Sequence, residues 1–343
     1  MTDSIEKRID ALHAPGLVDM HHDLGMDLYE KRHERDVLAR DYESDLRAGG
    51  VGVMAAAIYL EDKYLPEMAL RVALGQVARM YAEVSAPSAA GKYAICRNFG
   101  EIEAARSAHK TALLITMEGV EPLGTDLNML RIFYELGVRA IGLTHARRNM
   151  AGDGGVFAPG GSSPQGLTVF GRDVVRECER LGIAVDLAHI NPTGFDDILS
   201  ITQKPPIVSH SNARKYFDIE RNMSDAQIRA IGARGGVIGV NAVLVSPAKI
   251  GATIDRYLDH VEYVAELAGL DAVGIGFDFF EEIFNTLPPS ARGSLASINF
   301  VPGLSNHSHA RNMTAGLIDR GWTDDDIAKF LHGNWLRVLK QLM

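Results

Sequence analysis

Short apolar runs alternate with stretches of helical periodicity along the whole chain, and this alternation restricts the fold more than any other feature. Eight runs rich in β-branched and small residues begin near positions 17, 51, 111, 139, 182, 205, 235 and 271. Between them lie amphipathic stretches such as PEMALRVALGQVARMYAEV, TVFGRDVVRECERLG, SDAQIRAIGARG and TIDRYLDHVEYVAELAG. Strands that alternate with helices form a parallel sheet, and eight nearly continuous apolar strands favour closure of that sheet. The pattern predicts an α/β fold, a (β/α)8 TIM barrel, with residues 1–343 as a single domain.

The end of the chain predicts extra C-terminal helices. The stretch TDDDIAKFLHGNWLRVLKQLM is amphipathic, with Thr323 placed as an N-cap and acidic residues in the first turn. We expect these helices to pack on the outside of the barrel. Two segments, 59–90 and 280–312, exceed an ordinary loop and predict excursions over one mouth of the barrel. The stretch GDGGVFAPGGSSPQG lacks the Lys-Ser/Thr ending of a phosphate loop and predicts a mouth loop instead.

Composition and net charge restrict the kinds of molecule that this protein is expected to bind. The chain of 343 residues has a formal net charge of −9, which argues against nucleic acid because phosphate binding needs a basic surface. The first segment, MTDSIEKRIDALHAPG, contains no apolar stretch of the kind found in signal peptides or membrane spans. Cys96 and Cys178 are too few for a disulfide framework. We therefore expect a cytoplasmic protein, without a membrane or nucleic-acid partner, that acts on a small molecule.

Six of the eight apolar runs finish in ionisable residues, at the end of the strand where a barrel collects its active site. Gathering such groups in one mouth costs several kcal/mol unless a cation or another partner compensates. An isolated His-x-Asp pair is more often an exposed strand end, but equivalent residues at the other strand ends favour metal binding. Imidazole and carboxylate together suit zinc, although manganese, cobalt or iron use the same ligands. The residues are His21 and Asp23, Glu118, His145, His189, His210 and Asp278.

An alternative interpretation without a metal or a substrate exists for four of the candidate residues. Glu118 lies where a carboxylate can bridge two ions about 3.5–4 Å apart, or it makes a salt bridge at the rim. Asp278 follows two strand glycines that leave room for a ligand, or it is a turn residue. His145 alone is compatible with a satisfied rim histidine. Arg221 beside Glu220 is compatible with a solvated salt bridge.

Several of these strand ends belong to longer motifs that follow one another in a fixed order. They are VDMHHDL, GVRAIGLTHARRN, LGIAVDLAHI, PPIVSHSNAR with ERNMSD, VGIGFDF and HGNWLRVL. The ordered set resembles the membrane dipeptidase (renal dipeptidase) family of zinc metallopeptidases, from about residue 17 to 339. In that family the corresponding stretches are an Asp-small-His-Asn-Asp-Leu signature, a strand ending in Leu-Thr-His, and a two-histidine region followed by Arg-Asn.

The resemblance implies two Zn²⁺ ions, with other divalent metals open. One ion would be bound by His21, Asp23 and Glu118. The other would be bound by Glu118, His189 and His210. A homodimer is also implied, because the family is often dimeric.

The resemblance also implies the roles of three further residues. Asp278 would act as the acid/base, and His145 would polarise the scissile carbonyl. Arg221 would hold the free carboxylate of a dipeptide through its guanidinium fork. The function implied is a dinuclear zinc dipeptidase that hydrolyses L,L and L,D dipeptides by a metal-bridged hydroxide.

The sequence departs from the family's pattern near the substrate. EGVEPLG places Val120 and Glu121 where Gly and His are usual, and DFFEE places Phe280 and Glu281 where Asp and Gly are usual; His22 replaces an Asn. An acidic pocket that favours basic substrates would follow if the two glutamates face it, and no effect would follow if they face solvent. A metal-dependent hydrolase of another amide, lactam or ester is the alternative function. A metal-binding or assembly protein without activity is the non-enzymatic alternative.

Overall fold

The computed structural model describes residues 3–157, 165–286 and 298–343, and its strands close into a parallel barrel. β2 pairs with both β1 and β4, and β1 also pairs with β9, so β1, β2 and β4–β9 form the ring of eight strands. β3 pairs with the first residues of β4. The predicted (β/α)8 barrel is confirmed. The strands are β1 (Leu17–His22), β2 (Val51–Tyr59), β3 (Tyr93–Ile95), β4 (Thr111–Glu118), β5 (Val138–Gly142), β6 (Ala184–Asp186), β7 (Ile207–Ser211), β8 (Val237–Val240) and β9 (Val273–Ile275).

Helices surround the barrel where the amphipathic stretches predicted them. Their starts follow local sequence: Thr168, Ser224, Thr253 and Thr323 each accept a hydrogen bond from a backbone N–H of the first turn. The helices are α1 (Asp3–His13), α2 (Leu24–Glu30), α3 (Glu43–Gly49), α4 (Ala69–Val84), α5 (Phe99–Ser107), α6 (Asn128–Glu135), α7 (Val169–Leu181), α8 (Pro192–Ile201), α9 (Asp225–Ala233), α10 (Ile254–Ala268), α11 (Glu281–Thr286), α12 (Ala310–Asp319), α13 (Asp324–Ala328) and α14 (Asn334–Leu342).

The last helix closes the end of the barrel at which the strands begin. Ala112 and Leu114 share the inward face of β4 with Glu118, because alternate residues of a strand point the same way. These two residues belong to one buried cluster with the apolar face of α14, which includes Trp335. The indole Nε1–H of Trp335 donates to the carbonyl of Ile275 at 2.9 Å. The prediction that the C-terminal helices pack on the outside is therefore wrong for α14, which covers the strand starts.

The two long segments have different outcomes. Most of 59–90 is not an excursion, because α4 packs its buried face against α2 and β2 as an outer helix of the barrel. Of 280–312, the structure describes α11 and the residues from 298 onward, and 287–297 lie outside the described residues. Residues 158–164 of the predicted mouth loop also lie outside them. Among the described helices, none is long and apolar enough to cross a membrane.

Candidate active site

Glu118 stands between two groups of potential ligands at the end of β4. Its Oε1 lies 2.9 Å from His189 Nε2 and 3.4 Å from His210 Nε2. The same oxygen is 4.0 Å from His21 Nε2. The two imidazole nitrogens of His189 and His210 are 3.0 Å apart. One carboxylate therefore contacts side chains from β1, from the segment after β6 and from β7, as a bridging ligand must.

The second group lies on the β1 side of the same carboxylate. His21 Nε2 is 3.7 Å from Asp23 Oδ1 and 3.8 Å from Asp278 Oδ1. Ligand atoms of His21, Asp23 and Glu118 all lie within 4.8 Å of one another, close enough to share one ion. The imidazoles of His21 and His210 stack with ring centroids 3.6 Å apart. Ligand atoms of Glu118, His145 and His189 also lie within 4.8 Å of one another, so all six strand ends predicted from sequence converge on one mouth of the barrel.

Burial shifts the pKa values of the ionisable side chains in this cluster. Burial raises the pKa of Glu118 and of Asp278 well above their ordinary values, although His21 acts in the opposite direction. Burial alone would lower the pKa of His21, but Glu118, Asp23 and Asp278 outweigh it and raise that pKa. A buried carboxylate with a raised pKa retains its proton. The binding of a cation that can replace that proton is therefore favoured at such a site.

The orphaned polar atoms of the cluster fit a divalent metal. Asp23 Oδ1 is buried and has no hydrogen-bond partner among the described residues. Burial lowers the pKa values of His189 and His210 well below the ordinary value, so both imidazoles are neutral and able to donate a lone pair. An unpaired buried carboxylate oxygen costs free energy that a cation recovers. Carboxylate and neutral imidazole together form a donor set typical of zinc and of other first-row divalent ions.

Two of the converging residues have an unusual backbone conformation. His189 has φ of 63° and Asp278 has φ of 59°, both in the left-handed region that residues other than glycine seldom adopt. Such residues cost about 1–3 kcal/mol each and persist where the surrounding structure enforces them. The barrel therefore holds these two side chains at the site against a local preference.

Polar contacts behind the cluster orient its members. Ser209 Oγ lies 2.8 Å from His210 Nδ1, which leaves Nε2 facing Glu118. Asn241 Nδ2 donates to Asp278 Oδ2 at 2.9 Å. Asp19 Oδ1 accepts the backbone N–H groups of His21 at 3.2 Å and of Phe277 at 3.0 Å. Such contacts fix ligand direction in metal sites.

The sequence interpretation missed these orienting residues, although two of them left a signal. Asn241 stands just after β8, one of the two apolar runs whose ends lack an ionisable residue. Asp19 continues the alternation of His21 and Asp23 backwards by one step. Polar residues that are not ionisable, and carboxylates one step inside the strand, therefore also mark this mouth of the barrel in the sequence.

His145 borders the cluster and has both polar and apolar neighbours. Its ring centroid is 4.4 Å from that of His189, 4.8 Å from that of Tyr59 and 5.9 Å from that of Phe157. Burial lowers the pKa of His145 well below the ordinary value, with Arg147 acting in the same direction. A neutral imidazole at this position can donate one hydrogen bond to a bound carbonyl.

Arg221 is buried, so the alternative of a solvated salt bridge is wrong. Only 4% of the residue is exposed, and its Nη2 donates to the carbonyl of His210 at 2.8 Å. Nε and Nη1 have no hydrogen-bond partner within the part of the chain that the structure describes. Burial lowers the pKa of Arg221, whereas Asp278 and Glu118 act to raise it. A buried guanidinium with two free donors is suited to a carboxylate ligand.

The residues that depart from the family's pattern have different surroundings in the structure. Glu121 does not make the site acidic, because its Oε1 is paired with Arg147 Nε at 2.8 Å and only 8% of its side chain is exposed. Val120 is fully buried in the core. Phe280 packs beside Phe300 with ring centroids 5.1 Å apart.

The two remaining departures lie at the edge of the site. Glu281 is half-buried at the start of α11, and burial raises its pKa, with Glu282 acting in the same direction. His22 is buried and stacks on His307, with ring centroids 5.2 Å apart.

A separate cavity of about 440 Å³ lies at the opposite end of the barrel, beside the first residues of β1, β2, β3 and β4. Four of the charged groups in its lining already form two ion pairs, Lys92 with Glu43 and Arg311 with Asp10. None of the site residues described above lines it. The reactive groups are confined to the mouth formed by the strand ends.

A closed parallel barrel with imidazoles and carboxylates converging at its strand ends defines a metal-dependent hydrolase. Comparison with known proteins narrows this class. A model of the membrane dipeptidase family, peptidase family M19, matches residues 6–343. The chain belongs to this family of metallo-dipeptidases, which are hydrolases acting on peptide bonds.

Three relatives illustrate the match. An uncharacterized dipeptidase of Schizosaccharomyces pombe is 30% identical over 348 residues, covering 95% of this chain and 80% of the relative. Dipeptidase 3 of Mus musculus is 30% identical over 346 residues, covering 95% of this chain but 64% of the mouse protein. The crystal structure of a metallo peptidase from Rhodobacter sphaeroides, liganded with a phosphinate mimic of the dipeptide L-Ala-D-Ala, has a TM-score of 0.83 and 24% identity. That match covers 96% of this chain and 99% of the other.

Proposed function

We propose that this protein hydrolyses the peptide bond of dipeptides with two divalent ions, zinc by preference, held at the strand ends. The observation that carries the proposal is Glu118, whose Oε1 lies between His21 on one side and His189 and His210 on the other. His21, Asp23 and Glu118 would hold one ion. Glu118, His189 and His210 would hold the other.

When bound, two divalent ions held by these residues would supply Lewis-acid polarisation of the scissile carbonyl and would make the attacking water more acidic. Asp278 takes the proton of the attacking water and passes it to the leaving amine. Asn241 keeps Oδ2 of that carboxylate occupied, which directs Oδ1 towards His21 and the reacting groups. His145, neutral and buried, donates to the oxyanion that develops from the carbonyl.

Arg221 restricts the substrate to a dipeptide in this proposal. Its two unpartnered donors bind the free C-terminal carboxylate, so the cut falls one residue before that carboxylate. The Rhodobacter sphaeroides structure with a mimic of L-Ala-D-Ala supports a site of this kind in a protein of the same fold. We therefore include both L,L and L,D dipeptides as substrates.

The test is steady-state turnover of L,L and L,D dipeptides by zinc-loaded protein beside a chelated sample. We expect cleavage that depends on the metal and is lost in Asp278→Asn while metal content stays unchanged. Asp271→Asn is the matched control, since Asp271 lies at the other end of β9 and pairs with Lys329 on the surface. Turnover that survives in Asp278→Asn would refute the assigned role.

Inactivity of the metal-loaded protein on every dipeptide would move the assignment to the alternative hydrolase of another amide, lactam or ester. The single domain over 1–343, the homodimer and the cytoplasmic location stay predictions. Size-exclusion chromatography with light scattering tests the dimer.

A further inference from the structure

An apolar wall lines one side of the active-site mouth. We use this name for the cluster that contains Phe157, Ile219, Val243, Leu244, Phe280 and Phe300. These side chains come from the loops that follow β5, β7, β8 and β9, together with the segment before α12. Ile219, Val243 and Leu244 are buried, whereas the three phenylalanines are only half-buried. Aromatic surface therefore remains accessible on this wall.

The apolar wall adjoins the reacting groups. The ring of Phe157 lies 5.9 Å from that of His145 and 6.1 Å from that of His189. Phe280 follows Asp278 by two residues, and Val243 follows Asn241 by two residues. A substrate bound at His145 would therefore lie close to Phe157 and the wall.

The wall is also tied to the carboxylate-binding arginine. Ile219 precedes Arg221 by two residues, and the backbone N–H of Arg221 donates to the carbonyl of Val156 at 3.2 Å. This hydrogen bond fixes the Arg221 loop beside Phe157. The backbone that carries the Arg221 guanidinium is therefore tied to the loop that carries Phe157.

The opposite side of His145 has different chemistry. The ring centroid of Tyr59 lies 4.8 Å from that of His145, and the Arg147 guanidinium lies 5.7 Å from the Tyr59 ring. Arg147 is in turn ion-paired with Glu121. Arg147 also donates to the carbonyl of Leu60 at 2.9 Å. His145 thus has polar neighbours in Tyr59 and Arg147 and an apolar neighbour in Phe157, and the backbone of Arg221 is hydrogen-bonded beside Phe157.

Backbone strain marks the apolar wall as a constrained surface. Leu244 has φ of 57°, in the left-handed region that leucine seldom adopts. The surrounding loops hold it there, with the carbonyl of Val243 accepting a hydrogen bond from Asn212 Nδ2 at 2.6 Å. Strain of this kind persists at sites whose shape is fixed by neighbouring contacts.

We infer that the apolar wall binds the side chain of the substrate's C-terminal residue, so that the protein prefers dipeptides ending in a bulky aliphatic or aromatic residue. The inference rests on the proposed function. Because Arg221 fixes the terminal carboxylate, the side chain on the same residue lies within reach of the wall. Glu121 is already paired with Arg147, so this glutamate gives no basis for a preference for basic side chains.

The expected preference follows from the apolar area that the wall removes from water. Each buried methylene contributes about 0.8 kcal/mol, so Leu or Phe in place of Ala raises kcat/KM by about 10- to 50-fold. The experiment measures kcat/KM for Ala-Xaa dipeptides with Xaa as Ala, Leu, Phe, Lys or Glu. A reversed set, Xaa-Ala, separates the two ends of the substrate.

Variants connect the preference to the wall. We expect Phe157→Ala and Phe280→Ala to reduce the Ala-Phe to Ala-Ala ratio several-fold while Ala-Ala is still cleaved. Phe99→Ala is the matched control, because Phe99 is half-buried beside Lys340 at the closed end of the barrel. That control should keep the wild-type ratio.

The possible outcomes distinguish failure of the side-chain preference from failure of the proposed function. Cleavage of the dipeptides with equal rates for Ala, Leu and Phe at the C-terminal position, or a preference for Lys, overturns the inference and leaves the proposed function standing. A preference that appears only in the Xaa-Ala set places the wall at the other end of the substrate and also overturns it. Failure to cleave any dipeptide overturns the proposed function itself.

Discussion

Replacing Arg221 by alanine removes the group to which we assign the substrate's carboxylate. Arg221 is 4% exposed, Nη2 of its guanidinium donates to the carbonyl of His210, and Nε and Nη1 have no partner among the described residues. A hydrogen bond to a charged group contributes about 1.5–3 kcal/mol, so two such bonds contribute about 3 kcal/mol or more. At about 1.4 kcal/mol for each factor of ten, Arg221→Ala should lower kcat/KM for a dipeptide by at least about 100-fold.

The assay is a cycle that combines the variant with a change in the substrate. Wild-type protein and Arg221→Ala are each measured on a dipeptide and on the same dipeptide with its C-terminal carboxylate converted to an amide. We expect the wild type to prefer the free acid by about 100-fold or more and the variant to lose that preference. Arg221→Lys, which keeps the charge without the fork, should fall between them.

The matched control is Arg139→Ala. Arg139 is also a buried arginine, but it donates to the carbonyls of Arg97, Tyr134 and Val138 away from the site. This variant should lose stability and retain the preference for the free acid. If Arg221→Ala keeps the wild-type preference, or loses activity equally on acid and amide, then Arg221 only braces the loop and the carboxylate assignment is refuted.

Three further predictions concern the fold and the metals. Gly274→Ala places a Cβ in steric conflict with the indole of Trp335 and should lower the free energy of unfolding by about 1–3 kcal/mol in urea titrations, whereas Gly333→Ala, whose Cβ has ordinary contacts, should not. Burial lowers the pKa of His260 to about 4, so below about pH 6.5 the unfolded chain binds a proton that the folded protein does not bind. This difference should lower the free energy of unfolding by about 2 kcal/mol at pH 5 relative to pH 7. The variant His260→Gln should remove that loss. Chelation should lower the free energy of unfolding by about 4 kcal/mol relative to protein with zinc at about 1,000 times Kd, and an unchanged melting temperature would contradict metal binding by the folded site.

The sequence by itself determined the barrel and the membership of its mouth. Each strand carries its own apolar pattern, and a polar residue at a strand's end reaches the same mouth in every parallel barrel. His21, Glu118 and Asp278 could therefore be assigned to one place before any contact was known. The ordered motifs added the roles that spacing alone left open.

Only the tertiary structure decided what surrounds those residues. Glu121 pairs with Arg147, 26 positions away, and this pairing removes Glu121 from the acidic pocket that the sequence left open. Arg221 is buried although its neighbour in sequence is an acid, because its loop folds against Val156.

The last helix and the apolar wall show the same division. Trp335 reaches the inward face of β9 because Gly274 leaves space there, and no periodicity within α14 specifies that partner. The wall gathers side chains from four loops that are unrelated in local pattern. Local sequence determines which face of a strand or helix is apolar, whereas the partner that covers that face depends on contacts between distant segments, which exist only after the barrel has closed.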